Sequence, residues 1–371
     1  MSDHDDETQL DESAAHPLFQ RVERFRRRSG RVRGDVVVMA HGGGGKAMRD
    51  LIDDLIVGEL GTAALTVDED QARLPLDALR EIGDRLAFTT DTYVVSPLFF
   101  PGGDIGALAI NGTVNDLAVS GARPVALSCG LVIEEGLPID TLRKVLRSMR
   151  KAADAAGVSV VTGDTKVVPR GAADKLFINT AGIGVIPAGI QISSQGMKAG
   201  DVVLVNGYLG DHGAAILVAR GELALETDVP SDTAALNGLV AELVAKVSVH
   251  AMRDVTRGGL SAVLNELAIA SDVSVVVDAR ALPIRPEVNG LSEILGIDPV
   301  HLANEGKIAF TVAADDAPEA LRIMRAHPHG KHAAIIGRCR ATPAGVVTLD
   351  TGFGSERILD MLTGEPVPRI C

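Results

Sequence analysis

Five aspartates stand in settings that suit chemistry. They are Asp70 in Glu69-Asp70-Gln71-Ala72, Asp91 in Thr89-Thr90-Asp91-Thr92, Asp116 in Asn115-Asp116-Leu117-Ala118, Asp164 in Val161-Thr162-Gly163-Asp164-Thr165, and Asp254 in Arg253-Asp254-Val255-Thr256-Arg257-Gly258-Gly259. Several fall where an apolar run ends or a glycine turn begins, the place where α/β folds present ligand-binding side chains. Carboxylates of this kind are hard oxygen ligands, suited to a magnesium ion bridging nucleotide phosphates. Each one alone is equally a helix cap or a turn residue. Together they point towards magnesium-nucleotide chemistry without specifying it.

Other residues extend the pattern. The run Gly42-Gly43-Gly44-Gly45 could bring backbone N–H groups close to an anion, or could be a plain linker. It is not a Walker A loop: counting back from Lys46, the first glycine would fall at Ala40, and Ala47 stands where Ser or Thr would hold magnesium. Lys166 and Glu305, in Asn304-Glu305-Gly306-Lys307, are either surface charges or groups tuned by burial for proton transfer. Cys371 is the last residue of a tail, Gly364-Glu365-Pro366-Val367-Pro368-Arg369-Ile370-Cys371, that has two prolines and neither helical nor strand period. Eight extended residues reach about 25 Å, enough to carry a sulfur between two sites. Cys129 lies in an apolar run and reads as core, and Cys339 is undecided. Three separated cysteines make neither a disulfide framework nor a zinc spacing.

The elements that must position these residues alternate. A short strand is expected over Val36 to Met39. A helix with Met48, Leu51, Ile52, Leu55 and Ile56 on one face follows the glycines. Strands are expected near Leu86 to Thr90, Val125 to Ile133, Val158 to Thr162 and Leu176 to Ile186, with helices over Ile105 to Val119 and Ile139 to Ala156. That is an α/β (α+β) first domain over 35–187. Pro187 and the polar Gln191 to Gly196 segment mark a junction to a second strand–helix series over 188–354, with 355–371 as a mobile tail. The second series begins with a strand over Asp201 to Val205. It has helices near Gly213 to Arg220 and Leu260 to Ala270, then strands over Val273 to Val277 and Ile308 to Val312. A chain of 371 residues, 46% of them apolar but only ten aromatic, fits two α/β cores.

The formal charge of −13 argues against nucleic acid as a partner. Residues 1–34 form a charged extension, acidic from Asp3 to Glu12 and basic from Arg21 to Arg33, expected to be solvated and partly disordered. No secretory h-region or membrane-length apolar run is visible, so a cytoplasmic protein is expected.

The motifs resemble those of the HypE family of hydrogenase expression/formation proteins. They are Asp91-Thr92-Tyr93 through Pro97-Leu98-Phe99-Phe100-Pro101-Gly102-Gly103-Asp104, Asn115 to Ala122, Gly163-Asp164-Thr165-Lys166-Val167-Val168, Asp254 to Leu260, Asn304 to Lys307, and the closing Pro368-Arg369-Ile370-Cys371. The resemblance runs from about His41 to the end. It implies the two-domain aminoimidazole ribonucleotide synthetase-like fold, with N-terminal domains pairing in a homodimer and ATP near the domain and subunit junction. It further implies that a carbamoyltransferase, HypF, loads Cys371 with a carboxamide, and that ATP-dependent dehydration turns this into a thiocyanate. The cyanide then passes to a HypC–HypD iron-carrying complex.

The residues implied are Asp70, Asp91, Asp116 and Asp254 for a magnesium clamp, and Gly43, Gly44, Gly45, Asp91, Asn115, Gly163 and Asp164 near the nucleotide. Glu305 is the implied base, Lys166 stabilises charge or relays a proton, and Cys371 is the carrier nucleophile. The sequence departs from the family in its charged extension and in an all-glycine loop where one Ser is expected. Selenophosphate synthetase and thiamine monophosphate kinase share the superfamily chemistry, but neither accounts for the terminal Pro-Arg-Ile-Cys. A non-catalytic carrier would leave the acidic motifs without use.

If the basic run steers an acidic partner, deleting residues before Gly34 is expected to weaken partner binding at low salt and to flatten its salt dependence. Unchanged binding across a salt titration would remove that role.

Overall fold

The computed structural model describes residues 30–61, 65, 69–221, 228–364 and 367–371. Most of the charged extension, with its basic run up to Arg28, and the tail residues Glu365 and Pro366 lie outside them.

The expected first strand does not form. Only Val36 bridges to Pro138, and the chain then curls into a 3-10 turn, Met39–Gly42. The reason is local: His41 N–H donates to the Val38 carbonyl (2.8 Å), while its Nδ1 accepts from Val38 N–H (3.0 Å). The expected helix follows as α1 (Lys46–Leu51), continued by a π-helical stretch, Ile52–Val57, and a last turn, Gly58–Leu60. It buries Leu51, Leu55 and Leu60.

After α2 (Leu76–Arg80), strand β1 (Arg85–Tyr93) opens the first sheet. A two-residue ribbon, β2 (Phe99–Phe100) with β3 (Gly103–Asp104), leads into α3 (Ile105–Val119). Then come β4 (Arg123–Glu134), α4 (Ile139–Ala156), β5 (Ser159–Val168) and β6 (Leu176–Ile186). The sheet order is β1-β6-β4-β5, with β4–β5 parallel and the other pairs antiparallel. Helix α4 is amphipathic, with Leu142, Val145, Leu146 and Met149 buried. Helix α3 is apolar on nearly all sides and is buried on nearly all sides, so it is the core of the first half. Asp104 caps it, its carboxylate accepting from Gly106 N–H (2.7 Å) and Ala107 N–H (3.0 Å).

The second half contains β7 (Val202–Val205), α5 (Asp211–Ala219), α6 (Asn237–Val244), β8 (Val249–Asp254), α7 (Gly259–Ser271), β9 (Ser274–Asp278), α8 (Pro286–Leu295) and β10 (Ile308–Val312). It ends with α9 (Ala317–Ala326), β11 (Ala334–Arg340), β12 (Val347–Asp350) and β13 (Glu356–Ile358). Its seven strands run β13-β12-β9-β11-β7-β10-β8, and only β12–β9 is parallel. Both sheets are therefore mainly antiparallel, on the α+β side of the expected class. Strand β13 still pairs with β12, so the sheet runs past residue 354 into the segment read as tail.

One apolar cluster spans both halves, joining Ile105, Leu108 and Ile110 to Ala214, Ile216, Val288 and Leu302. Asn115 bolts the seam. Its Nδ2 donates to the Ala234 carbonyl (3.0 Å) and the Glu305 carbonyl (3.4 Å), and its Oδ1 accepts from Leu236 N–H (2.7 Å). Asn115→Ala would leave the Ala234 carbonyl and the Leu236 N–H at the seam without their partner, so an equilibrium urea titration should show a loss of roughly 2–4 kcal/mol.

Candidate active site

Along β1 the side chains alternate, so Thr89, Asp91 and Tyr93 face α3 while Leu86, Phe88, Thr90 and Thr92 face outward. Thr89 Oγ1 donates to Asp116 Oδ2 (2.9 Å), which ties strand to helix. The end of β8 brings Asp254 against them from the second half. Burial and the nearby Asp254 charge push the Asp116 carboxyl up to about 7, with Asp91 adding to the rise. Burial likewise raises Asp254, with a further contribution from Asp91.

Glu305 faces the same space. It is buried, and its Oε1 has no hydrogen-bond partner among the described residues. Burial raises its pKa well above the ordinary range, and Asp232, Asp254 and Asp91 add to the rise, while Arg257 opposes it. The motif around it is architectural. Asn304 Oδ1 accepts from Gly210 N–H (2.8 Å), and its Nδ2 donates to the Val255 carbonyl (3.0 Å). Asp232 accepts from the N–H groups of Glu305 (2.9 Å) and Gly306 (3.3 Å) and pairs with Lys307 Nζ (2.8 Å). Position 306 must be glycine, because a Cβ there would lie 1.9 Å from the Asp232 carbonyl oxygen.

The tail enters this space. Val94 N–H donates to a main-chain carboxylate oxygen of Cys371 (2.9 Å) and Ser96 N–H to the Arg369 carbonyl (3.4 Å), an antiparallel pairing on the continuation of the strand that carries Asp91. Arg220 donates through Nε to the Ser96 carbonyl (3.1 Å) and through Nη2 to the Pro368 and Arg369 carbonyls. Cys371 is only 7% exposed, with its Sγ 2.9 Å from Arg257 Nη2. Burial pushes its thiol up to about 12, and the Glu305 charge adds to this.

Cys371, Glu305, Asp91, Asp116 and Asp254 are thus brought together at the seam between the two halves. The remaining expected residues are not. In the strand pairing, Asp91, Thr180, Cys129 and Gly163 share one cross-strand row, and Thr92, Asn179, Gly130 and Asp164 share the next. Adjacent rows face opposite ways, so Asp164 and Lys166 lie on the outer face and Asp91 on the inner face. Three strand spacings, about 14 Å, also separate them. Lys166 pairs with Asp164 (2.6 Å) in the open, and that bond holds the Asp164 carboxyl below its ordinary range. Within one chain no described contact links Lys166 to Glu305.

Asp70, Gly163 and Asp164 instead line a second cavity of about 240 Å³, between the helical stretch 46–60 and strands β4 and β5. Gly44 and Gly45 are open to solvent upstream of it, Gly44 at φ +73°. Asn115 lies in neither space, being engaged by the backbone at the seam. Among the described residues, no three acidic, histidine or cysteine side chains are grouped so as to hold a metal ion by themselves. Sequence reasoning passed over Arg257, His212 and Asp232. A polar triplet such as Gly210-Asp211-His212, between an apolar strand and an apolar helix, was the available signal for one of them.

Residues 69–186 match the AIR synthase related protein N-terminal domain, and residues 198–350 match the corresponding C-terminal domain. The chain is 53% identical over 341 residues to the carbamoyl dehydratase HypE of Rhodobacter capsulatus, covering 92% of this chain and 99% of the relative. It is similar to a crystal structure of the hydrogenase maturation protein HypE in complex with ATP, with a TM-score of 0.85 at 46% identity, covering 90% of this chain and 99% of that one. It also resembles a chain from a HypE–HypF complex, with a TM-score of 0.73 at 43% identity, covering 84% and 99%. A buried terminal sulfur near a glutamate oxygen that has no partner among the described residues, on a chain that matches both AIR synthase related domains and aligns with a HypE relative over 92% of its length, leads to one conclusion: the chain belongs to the HypE carbamoyl dehydratase family.

Proposed function

We propose that this protein uses ATP to dehydrate a carboxamide carried on its own Cys371 to a thiocyanate, supplying cyanide for the iron of nickel-iron hydrogenase. The observation that carries the reading is the seat of the Cys371 sulfur in a buried space with Glu305, whose Oε1 has no partner among the described residues. An amide oxygen is a poor leaving group. Transfer of the ATP γ-phosphoryl to it, with loss of one nitrogen proton, makes the oxygen a phosphate ester. Loss of the second nitrogen proton and departure of phosphate then leave sulfur bonded to C≡N, with ADP, phosphate and one proton as the other products. In this reading Glu305 takes protons from that nitrogen. Arg257, whose Nη2 lies 2.9 Å from the Cys371 sulfur, would stabilise charge developing on the oxygen.

Magnesium fits the donor set. Asp116, raised by burial and by the Asp254 charge, and Asp254, raised by burial and by Asp91, carry an excess of negative charge that a divalent cation relieves. Asp91, Asp116 and Asp254 would bind the ion only together with the nucleotide phosphates, whose charge it would neutralise. Asp70, Gly163 and Asp164, lining the second cavity, with Gly43 to Gly45 at the start of the helix that walls it, are assigned to the nucleotide.

The outer face of the first sheet exposes Phe88 at 72% and Leu86 at 61%, an apolar surface suited to a second copy. Pairing of these faces in a homodimer would place Lys166 and Asp164 at the subunit boundary. Among the described residues no helix is long and apolar enough to cross a membrane. The partners we assign are HypF as donor and a HypC–HypD complex as acceptor, in the cytoplasm.

The raised thiol pKa divides the cycle. In its inward seat Cys371 is held as a neutral thiol, a weak nucleophile, whereas a thiocarboxamide sulfur has no proton to lose and suits the same burial. Loading therefore belongs to a released tail and dehydration to a seated one. At pH 8, iodoacetamide should label Cys371 in the native protein roughly 10²–10³ times more slowly than in the unfolded chain; peptide mapping would read the rate, and equal rates would show that the tail is not held inside.

The direct test is intact-protein mass spectrometry after incubation with HypF, carbamoyl phosphate and ATP-Mg, beside Cys371→Ala. The expected result is a carboxamide adduct that loses one water only with ATP and only with Cys371 present. A loaded tail that never loses water would make the protein a carrier.

A further inference from the structure

We propose that His212 is a positioning residue for dehydration, fixing the tail so that the group on Cys371 stays beside Glu305 and Arg257; this rests on the reading that Cys371 carries the carboxamide. His212 occupies the first turn of α5 and is completely buried. Its Nε2 lies 2.8 Å from the Ile370 carbonyl oxygen and its Nδ1 2.8 Å from Ser231 Oγ. A carbonyl can only accept, so Nε2 carries the proton and Nδ1 accepts from the Ser231 hydroxyl. Ser231 Oγ in turn accepts from Thr233 N–H (3.2 Å). The ring is fixed on its side by Phe100, edge-on at 5.5 Å and 85°. Burial lowers its pKa, which keeps the imidazole neutral and this tautomer in place.

Among the described residues, the other side-chain ties to the backbone of the last five residues, 367–371, come from Arg220, which is part-exposed. The tail's own ion pair, Arg369 with Asp174, is about 40% exposed on both sides, so solvent weakens it. The His212 bond is different in kind. It is buried, it acts on the carbonyl directly preceding Cys371, and its donor is held by a second residue from a different segment. Within the seat it locks the last peptide unit, while the strand-like pairing to Val94 and Ser96 sets only the direction of approach. Catalysis that depends on one nitrogen meeting Glu305 and one oxygen meeting a phosphoryl group is sensitive to displacements of an ångström.

The experiment separates loading from dehydration. The full-length protein is loaded by HypF and carbamoyl phosphate without ATP, then mixed with ATP-Mg, and the loss of water is followed by quenched mass spectrometry. For His212→Leu the first-order dehydration rate should fall by about 10²-fold while the loading rate stays within about twofold. His212→Gln, whose amide can donate from near the Nε2 position, should recover most of the rate. Ser231→Ala, which frees the tautomer but keeps the ring, should lose about 3–10-fold. Iodoacetamide labelling of unloaded Cys371 should rise in His212→Leu and return towards the wild-type rate in His212→Gln.

Unchanged dehydration in His212→Leu overturns the proposal, as does a parallel fall of loading and dehydration, or a Gln variant as slow as Leu. If His212→Leu does not fold, Ser231→Ala and His212→Gln decide it: Ser231→Ala dehydrating at the wild-type rate, or His212→Gln labelling as fast as the unfolded chain, overturns it. Failure of the wild-type tail to lose water at all would instead count against the dehydratase reading.

Discussion

Too much negative charge is gathered in a buried seam, and much of the surrounding structure exists to hold it there. Asp91, Asp116, Asp254 and Glu305 come from a strand, a helix, a second strand and a loop, on both halves of the chain. Like charges in a low-dielectric space repel, and each burial costs free energy unless protons or cations compensate. The raised pKa of Asp116, Asp254 and Glu305 is the signature of that cost. The arrangement persists because the backbone around it is held independently of the carboxylates. Asn115, Asn304 and Asp232 each spend several hydrogen bonds on main-chain groups at the seam. Asp232 itself stays ionised against Lys307, so an ion pair anchors the loop that presents Glu305.

The tail uses the same seam in a different way. Its pairing with Val94 and Ser96 extends the strand that carries Asp91, so one line of backbone sets both the carboxylate and the sulfur. A neutral sulfur is welcome in a buried, negatively charged place, whereas a thiolate is not. The chemistry of the seat therefore favours the loaded state over the reactive one. That asymmetry follows from electrostatics alone and requires no separate signal to tell the tail when to enter. The ties to Arg220 and His212 place the last residues once they arrive.

Much of this was written in the sequence. Helices over Ile105 to Val119 and Ile139 to Ala156, and strands over Leu176 to Ile186 and Ile308 to Val312, are found where periodicity puts them, because long, strongly patterned segments carry their own signal. The motifs bearing Asp91, Asp116, Asp254, Glu305 and Cys371 were also legible, since acidic residues beside glycine turns and a terminal cysteine are unusual placements. Val36 to Met39 misled because a single side chain, His41, bends the backbone there, and apolar alternation over four residues cannot report that.

What the sequence by itself determined is the inventory: the residue types, the elements that carry them, and a thiol at the end of a chain stiffened by proline. Only the tertiary structure decided which members of the inventory meet. A strand's two faces differ by one residue in sequence, so Asp91 and Asp164 read alike in the chain yet point to opposite sides of the same sheet. Asn115 sits next to Asp116 in sequence, yet on a buried helix that one step turns it from the carboxylates to the seam's backbone. His212 and Ile370 are 158 residues apart, and no local pattern links them. Contacts of that range exist only once two sheets have packed on a common helix and the last strand has aimed the tail back between them.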